Sequence, residues 1–383
     1  MVENASDSNR LPQASQSLRL FLCGDVMTGR GIDQILLHPC NPKLHEPYVR
    51  NAGDYVNLAE LVNGPIPRQV DDRYIWGDAM AEFERYQPDV RIINLETSVT
   101  TRSDYWKEKG IHYRMNPKNV GCLQAAKIDC CVLANNHVLD WGYKGLTQTL
   151  DALQSAGLKC SGAGENLSQA REPVIMEVGE KGRVIVLSYA LPTSGVPDSW
   201  QACSNRAGVN FLEALSPQAV ERISKQVRSV KQPNDIVVFS IHWGGNWGYE
   251  ISDEQIEFAH SLIERAGVDV IHGHSSHHVK GLEVYLGKLI LYGCGDFIND
   301  YEGISGHDSY RGDLALMYFL DMDPESGNLL GFKLVPLQMK RFQLVYPSCK
   351  DVDWIDEVLN RECRRFGLSL NLESGKAIAL KLE

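Results

Sequence analysis

Six times along the chain a short, almost uninterrupted apolar run stops at a carboxylate, carboxamide or imidazole side chain, and this recurrence constrains the fold more than any other feature. LRLFLCGDV, from Leu18 to Val26, delivers Asp25; DVRIINLE delivers Glu96; IDCCVLANNH delivers Asn135, Asn136 and His137. DIVVFSIHWG then delivers His242, VDVIHGH delivers His274 with His277 and His278 just beyond it, and KLILYGCGD delivers Asp296. Runs this apolar and this short read as buried strands. Stretches of helical spacing separate them, such as YKGLTQTLDALQSAG and SDEQIEFAHSLIERAG, each closed by a glycine suited to a C-cap. Strands alternating with helices predict an α/β architecture with polar loops gathered at the strand ends.

The periphery follows a different grammar. Residues 38–90, broken by Pro39, Pro42, Pro47, Pro65 and Pro67, read as an irregular insertion over the first crossover that shapes a pocket. From about residue 313 to 383 alternating segments, DLALMYFLDM, GFKLVPLQM and FQLVYP, predict a β-rich extension of antiparallel strands. An amphipathic helix in VDWIDEVLNRECRRFG and a last short strand in KAIALKL follow. With no internal repeat and no linker-like shift in composition, residues 18–383 are expected to form a single domain, behind a disordered arm over residues 1–17.

Composition narrows the functional classes. The 49 acidic residues outnumber the 38 basic ones for a net charge of −11, and no run of Lys or Arg tracks a phosphate backbone, so no nucleic-acid partner is expected. The ten cysteines, among them Cys23, Cys122, Cys130, Cys131, Cys160 and Cys294 in or beside apolar runs, form no paired CxxC pattern and suit a reduced, cytoplasmic chain. The polar start MVENASDSNRLPQASQS lacks the order of a signal peptide, and no later stretch reaches the roughly 18 apolar residues of a span, so no membrane anchor is expected.

Oxygen and imidazole donors collected at one sheet edge make the mixed environment preferred by divalent zinc, manganese or iron, one ion or two. A carboxylate lying between two ions could bridge them, activating a water and clamping substrate oxygens. Asp and Asn at strand ends also form turns and cap helices, but the histidines set directly after apolar strands favour a metal centre. Asp140, three residues after His137, either orients that imidazole or caps the helix beginning near Tyr143. Asp296 is either a turn-former or a partner of a ligating histidine. Arg30 suits a planar carboxylate or a phosphate fork, and Trp243, Trp247 and Tyr249 serve either as substrate contacts or as core.

Six blocks, GDVMTGR, NLET, ANNHVLDWGYKGL, HWG, GHSSHHVKGLEVY and YGCGDFIND, follow one another in an order and spacing that resemble the CapA family of bacterial poly-γ-glutamate capsule proteins, a branch of the calcineurin-like metallophosphoesterases. The resemblance covers about residues 18–300 and implies a four-layer α/β/β/α sandwich with metals at the strand tips. By position it implies Asp25, Glu96, Asn136, His242, His274 and His277 as metal ligands, with Glu96 as the bridging carboxylate. It implies His137 as general acid; Arg30 and Asp140, read from their own chemistry and position, complete the candidate catalytic set. Arg30, Asn94, Asn135, Trp243, Tyr249, His278 and Asp296 are the expected substrate contacts. Two departures stand out. Met27 occupies the place of a ligating histidine after Asp25, and His274 matches the first histidine of the family's Gly-His-x-His only through a one-residue shift. The implied function is a metal-dependent hydrolase of the phosphoesterase type using a metal-activated water, with a small-molecule or γ-glutamyl substrate. Amide or acyl-phosphate chemistry in γ-glutamyl polymer synthesis, and a non-catalytic scaffold of a capsule-synthesis complex, are the alternatives.

Overall fold

Successive side chains of a strand point to opposite faces, so the buried runs decide how the layers stack. The structure is a computed structural model describing residues 17–373 and 377–380; the arm expected over residues 1–17 lies, apart from Ser17, outside the described residues. Strands Leu18–Val26 (β1), Val90–Leu95 (β2) and Cys130–Val132 (β3) run parallel in the middle of a ten-stranded sheet. Strands Arg183–Ala190 (β4), Asp235–His242 (β5) and Val270–His274 (β6) run parallel in a six-stranded sheet.

Three hydrophobic cores identify four layers. Leu18, Leu20, Leu22, Ile92 and Val132 from one face of the first sheet meet Val184, Val186, Ile236, Val238 and Val270 of the second. The opposite face of the first sheet, with Phe21, Ile93 and Cys131, packs on helical residues including Phe83, Leu123, Leu146 and Leu153. The opposite face of the second sheet, with Ile185, Val237, Phe239 and Ile271, packs on Ile223, Val227, Phe258 and Leu262. The order is therefore helix, sheet, sheet, helix, the sandwich that the resemblance implies. Each fully buried aliphatic side chain contributes about 1.5–3 kcal/mol, which makes the inter-sheet layer the largest source of cohesion between the two halves.

The covering helices form where their signals stand. Gly142–Ser155 (α1) buries Leu146, Thr149 and Leu153 at i, i+3 and i+7. Pro217–Arg228 (α2) opens on the Ser216 cap with proline in its first turn. Asp253–Ala266 (α3) carries a Ser252–Gln255 capping box and ends at Gly267 with φ 71°. Helix Cys349–Cys363 (α4) sends Ile355, Val358, Leu359 and Cys363 into the inter-sheet core and closes the sandwich at that side.

The C-terminal segment adds antiparallel strands to the first sheet, Leu314–Met322 beside β1 and Leu329–Lys340 beside that. Within residues 38–90 the structure is more regular than the prolines suggest: Ala79–Tyr86 is a crossover helix whose Phe83 packs edge-on against Phe21 of β1. The segment before it contains helix Gly53–Asn63, whose Tyr55 hydroxyl accepts from Arg30 at 3.1 Å. All ten cysteines are unpaired thiols. Among the described residues no helix is long and apolar enough to cross a membrane.

Candidate metal centre

The C-terminal ends of β1, β2, β3, β5 and β6 meet at one edge of the sandwich, with contributions from both sheets. The aim of Asp25 comes from a slip in register: Leu22 pairs with Ile92 but Asp25 with Asn94, so β1 carries one residue more than β2 over that step. Such a bulge redirects the side chain that follows it. Beside it the backbone runs so close to the segment before Asp296 that a Cβ on Gly24 would overlap the Gly295 carbonyl oxygen, while the Asp25 amide donates to that oxygen at 3.0 Å.

Asn94 and Asn135, expected at the substrate, are spent on holding the site together. Asn94 Nδ2 donates to Asp25 Oδ1 at 2.7 Å and to Glu96 Oε2 at 3.2 Å. Asn135 Nδ2 donates to Asn94 Oδ1 and the Leu95 carbonyl, while its Oδ1 accepts from the amides of His137 and Val138. Every hydrogen-bonding group of the Asn135 carboxamide is thereby engaged inside the protein.

Asp25 Oδ2, Asn136 Oδ1 and His242 Nε2 are buried and have no hydrogen-bond partner. Orphaned polar atoms in a protein interior require an explanation, and these three, at the ends of β1, β3 and β5, are of the types that ligate a cation. The ligand atoms of Asp25, His242 and His274 lie within 4.8 Å of one another, as do those of Asp25, His277 and Asp296. Glu96 Oε1 stands 3.9 Å from His242 Nε2 and 3.7 Å from His137 Nε2. The donor set of carboxylate oxygens, a carboxamide oxygen and imidazole nitrogens fits zinc, manganese or iron. Asp25 is common to both triads.

Electrostatics point the same way. Burial raises the carboxyl of Asp25, Asp296 adding to it, and burial together with Asp25 raises that of Glu96. Burial pushes the imidazoles of His242 and His274 well below their ordinary value. Crowded buried carboxylates facing neutral imidazoles are relieved by a bound cation. His274 itself lies against His242, Nδ1 to Nδ1, at 2.7 Å.

On the second triad's side, Asp296 Oδ1 lies 2.8 Å from His277 Nδ1 and its Oδ2 accepts from Asn299 Nδ2 at 2.9 Å. The residue left open between turn and histidine partner thus makes the histidine contact. Burial lowers His277, but Asp296 outweighs it and the imidazole ends above its ordinary value. Met27 is buried, its sulfur 3.8 Å from the Tyr301 hydroxyl.

A second polar cluster is built on the turn after β3. His137 Nδ1 lies 2.6 Å from Asp140 Oδ2, which also accepts from the Tyr113 amide at 2.7 Å. The cap of α1 is Trp141, without a side-chain bond, so Asp140 orients the imidazole and leaves the helix end alone. Lys109 Nζ donates to Asp140 Oδ1 at 2.6 Å and lies 3.3 Å from His137 Nδ1. Sequence reasoning missed Lys109, because its loop carries no apolar run or motif to mark it. Burial lowers His137 to about 4 against the pull of Asp140. Burial also raises Asp140, but His137 and Lys109 outweigh it and hold the carboxylate below its ordinary range.

Arg30 does not stand free for an anion. Its guanidinium pairs with Asp300 through Nε at 3.1 Å and through Nη2, reaches Glu46 at 3.3 Å and the Tyr55 hydroxyl at 3.1 Å, and lies over the rings of Tyr55 and Tyr113. Two buried carboxylates neutralise it, so its place is in the wall of the site. Trp243 is core: it stacks on Tyr292 and donates Nε1 to that residue's carbonyl at 2.9 Å. Half-buried Tyr249 meets His278 edge to face at 4.6 Å, and His278 Nε2 is a further buried atom without a partner. Trp247 stacks on His307 at 4.1 Å and faces a cleft of about 1120 Å³. That cleft reaches Arg30 and His277, with Tyr48 and Tyr55 from the segment before residue 64 and Tyr301 among its lining residues.

Comparison with known proteins gives a consistent set of relatives. The family model described as bacterial capsule synthesis protein PGA_cap matches residues 19–301. A probable polyglutamine synthesis accessory protein of Mycobacterium tuberculosis is 48% identical over 350 residues, 91% of this chain and 92% of that protein. The PGA biosynthesis protein CapA of Bacillus subtilis is 30% identical over 217 residues, 56% of this chain and 54% of the relative. Among solved structures, a novel phosphatase of Mycoplasma pneumoniae is 14% identical with a TM-score of 0.47, covering 87% of this chain and 96% of that one.

Proposed function

The chain belongs to the bacterial capsule synthesis protein family PGA_cap, and from that premise we propose that it is a metal-dependent hydrolase of the phosphoesterase type working at the Asp25–His242 corner. The observation that carries the reading is the set of three buried, unpartnered donor atoms, Asp25 Oδ2, Asn136 Oδ1 and His242 Nε2, beside a histidine–aspartate pair. Asp25, Glu96, Asn136 and His242 are the proposed holders of a first ion, and His277 with Asp296 the flank for a second. When bound, a divalent ion supplies Lewis acidity and lowers the pKa of a coordinated water.

The remaining work falls to the chain's own groups. Asp140, acceptor only when ionised, fixes the proton of His137 on Nδ1 and leaves Nε2 bare. His137 at rest is therefore a base; it becomes the general acid implied by resemblance once it has taken a proton, which it then returns to the leaving atom. Asp140 stabilises the imidazolium in that interval, and Lys109 keeps Asp140 ionised. Tyr48, Tyr301 and Trp247 line the cleft beside the site.

The names of the relatives favour a second substrate class. One is called a polyglutamine synthesis accessory protein and another a PGA biosynthesis protein, so the γ-glutamyl amide or an acyl-phosphate is the second reading for the same site. A screen over aryl phosphates and γ-glutamyl peptides, run before and after chelation, tests both. Turnover is expected to vanish on chelation and to return with manganese, zinc or iron. Hydrolysis that survives exhaustive chelation refutes the metal reading. Elemental analysis that finds no stoichiometric metal in chain purified without chelator would favour the scaffold role.

A further inference from the structure

His274 sits within one candidate triad, yet both its ring nitrogens already have partners inside the protein. Nε2 lies 2.8 Å from Ser240 Oγ and Nδ1 lies 2.7 Å from His242 Nδ1. The contacts continue away from the site: Ser240 Oγ is 3.1 Å from His272 Nδ1, and His272 Nε2 is 2.7 Å from the carbonyl oxygen of Cys23, at the bulge of β1. Ser240 pairs with His272 and His242 with His274 in the β5–β6 register, so all four stand on one face, and all are buried. The row runs from the first sheet across to the metal corner.

Its direction is determined from the far end. A carbonyl oxygen only accepts, so His272 carries its proton on Nε2 and, as a neutral ring, presents a bare Nδ1. Ser240 donates its one hydrogen there and must accept from His274. His274 therefore carries its proton on Nε2, presents a bare Nδ1 and accepts from His242 Nδ1–H. What is left on His242 is a bare Nε2, the atom that has no partner and stands 3.9 Å from Glu96. The opposite order sets a Ser240 lone pair against the bare Nδ1 of His272 and buries an unpartnered N–H on His242. No carboxylate is among the hydrogen-bond partners of His272 or His274 to hold either ring as a cation.

We infer that the Cys23 carbonyl, His272, Ser240 and His274 form a one-way hydrogen-bond relay that locks His242 in the tautomer with Nε2 open to a divalent cation. Within it His274 is a positioning residue and not a ligand. The relay rests on the metal reading proposed above, since its output is a ligand atom; partners of this kind orient the ligating ring, and losing one costs about 10- to 100-fold in metal affinity.

Two measurements test it. In long-range ¹H–¹⁵N imidazole spectra of the metal-stripped full chain, His242 shows a protonated Nδ1 and a bare Nε2, while His272 and His274 show protonated Nε2. A protonated Nε2 on His242 overturns the relay, and this reading needs no variant. In zinc titration, Ser240→Ala weakens binding about 10- to 100-fold, and Ser240→Thr, which keeps the hydroxyl, restores the parental affinity. A folded Ser240→Ala chain that binds zinc as tightly as the parent also overturns it. A parent chain with the expected tautomers but no zinc uptake would leave the relay standing and fail the metal reading alone.

Discussion

At the scale of single residues, the proposed site separates side chains assigned to a cation from side chains assigned to a proton, and the two groups predict different losses. His242 exposes an unpartnered Nε2 to the corner, whereas His137 spends Nδ1 on Asp140. His137→Ala is therefore expected to retain metal while losing about 10²–10⁴-fold in turnover, the usual worth of a positioned acid–base group. His242→Ala is expected to lose metal and activity together. Elemental analysis beside the rate assay separates them, and equal metal loss in both variants would refute the assignment. The strand-end positions of Asp25, Glu96, Asn136, His137 and His242 were legible because each follows an apolar run. Lys109 and His272 were not: Lys109 lies in a loop without pattern, and His272 sits inside the run VDVIHGH with a backbone carbonyl 249 residues away as its partner. Arg30 was legible as a site residue but not as a neutralised one, since Asp300 is 270 residues distant. Local pattern reports where a side chain is delivered; only the fold reports what meets it there.

At the scale of elements, the buried parallel strands were legible from composition alone, because a strand covered on both faces has no polar side to display. The bulge in β1 was not, since nothing in LRLFLCGDV marks the slip except Gly24, and a glycine in a strand has several causes. The attachment of α4 is a second feature that only three dimensions reveal. Arg311, just before strand Leu314–Met322, pairs with Asp313 at 2.8 Å and with Asp351 in the first turn of α4 at 2.7 Å, while Gln338 donates to Asp313 at 2.8 Å. Burial works to raise both carboxyls, yet the bonds from Arg311, with Gln338 for Asp313 and Ser348 for Asp351, outweigh it and hold both below the ordinary range. Carboxylates lowered in the folded state add stability above their unfolded pKa of about 4 and lose it as pH falls through the folded values. Arg311→Met should therefore lower the urea midpoint at pH 7 by a measurable amount, and the gap to the parent should close as the pH approaches about 3. A gap that stays constant with pH would assign the loss to packing on Trp354 instead.

At the scale of the whole molecule, the proposed metal corner is a place where the strand ends of the two sheets bring polar groups together instead of aliphatic ones. Asp25, Glu96 and Asn136 come from the first sheet's strand ends and His242 from the second's, above an inter-sheet core of Leu, Ile and Val. A cation held by both sheets is a cross-link present only in the folded state, and it also neutralises carboxylates that burial alone would penalise. Ligand-linked stability follows RT ln(1 + [L]/Kd), about 2.7 kcal/mol at a hundredfold excess over Kd. For a chain of this size a few kcal/mol move the unfolding midpoint by several degrees. Chelation should therefore lower Tm, and stepwise addition of manganese or zinc should raise it with a logarithmic dependence on free metal. His242→Ala should flatten that dependence, whereas His137→Ala should leave most of it. An unchanged Tm across the titration, with metal shown by elemental analysis to be bound, would mean that the unfolded chain binds the ion as tightly as the folded one and would refute a cross-link present only in the folded state. A metal-dependent Tm in His242→Ala equal to that of the parent would place the ion outside the inter-sheet corner.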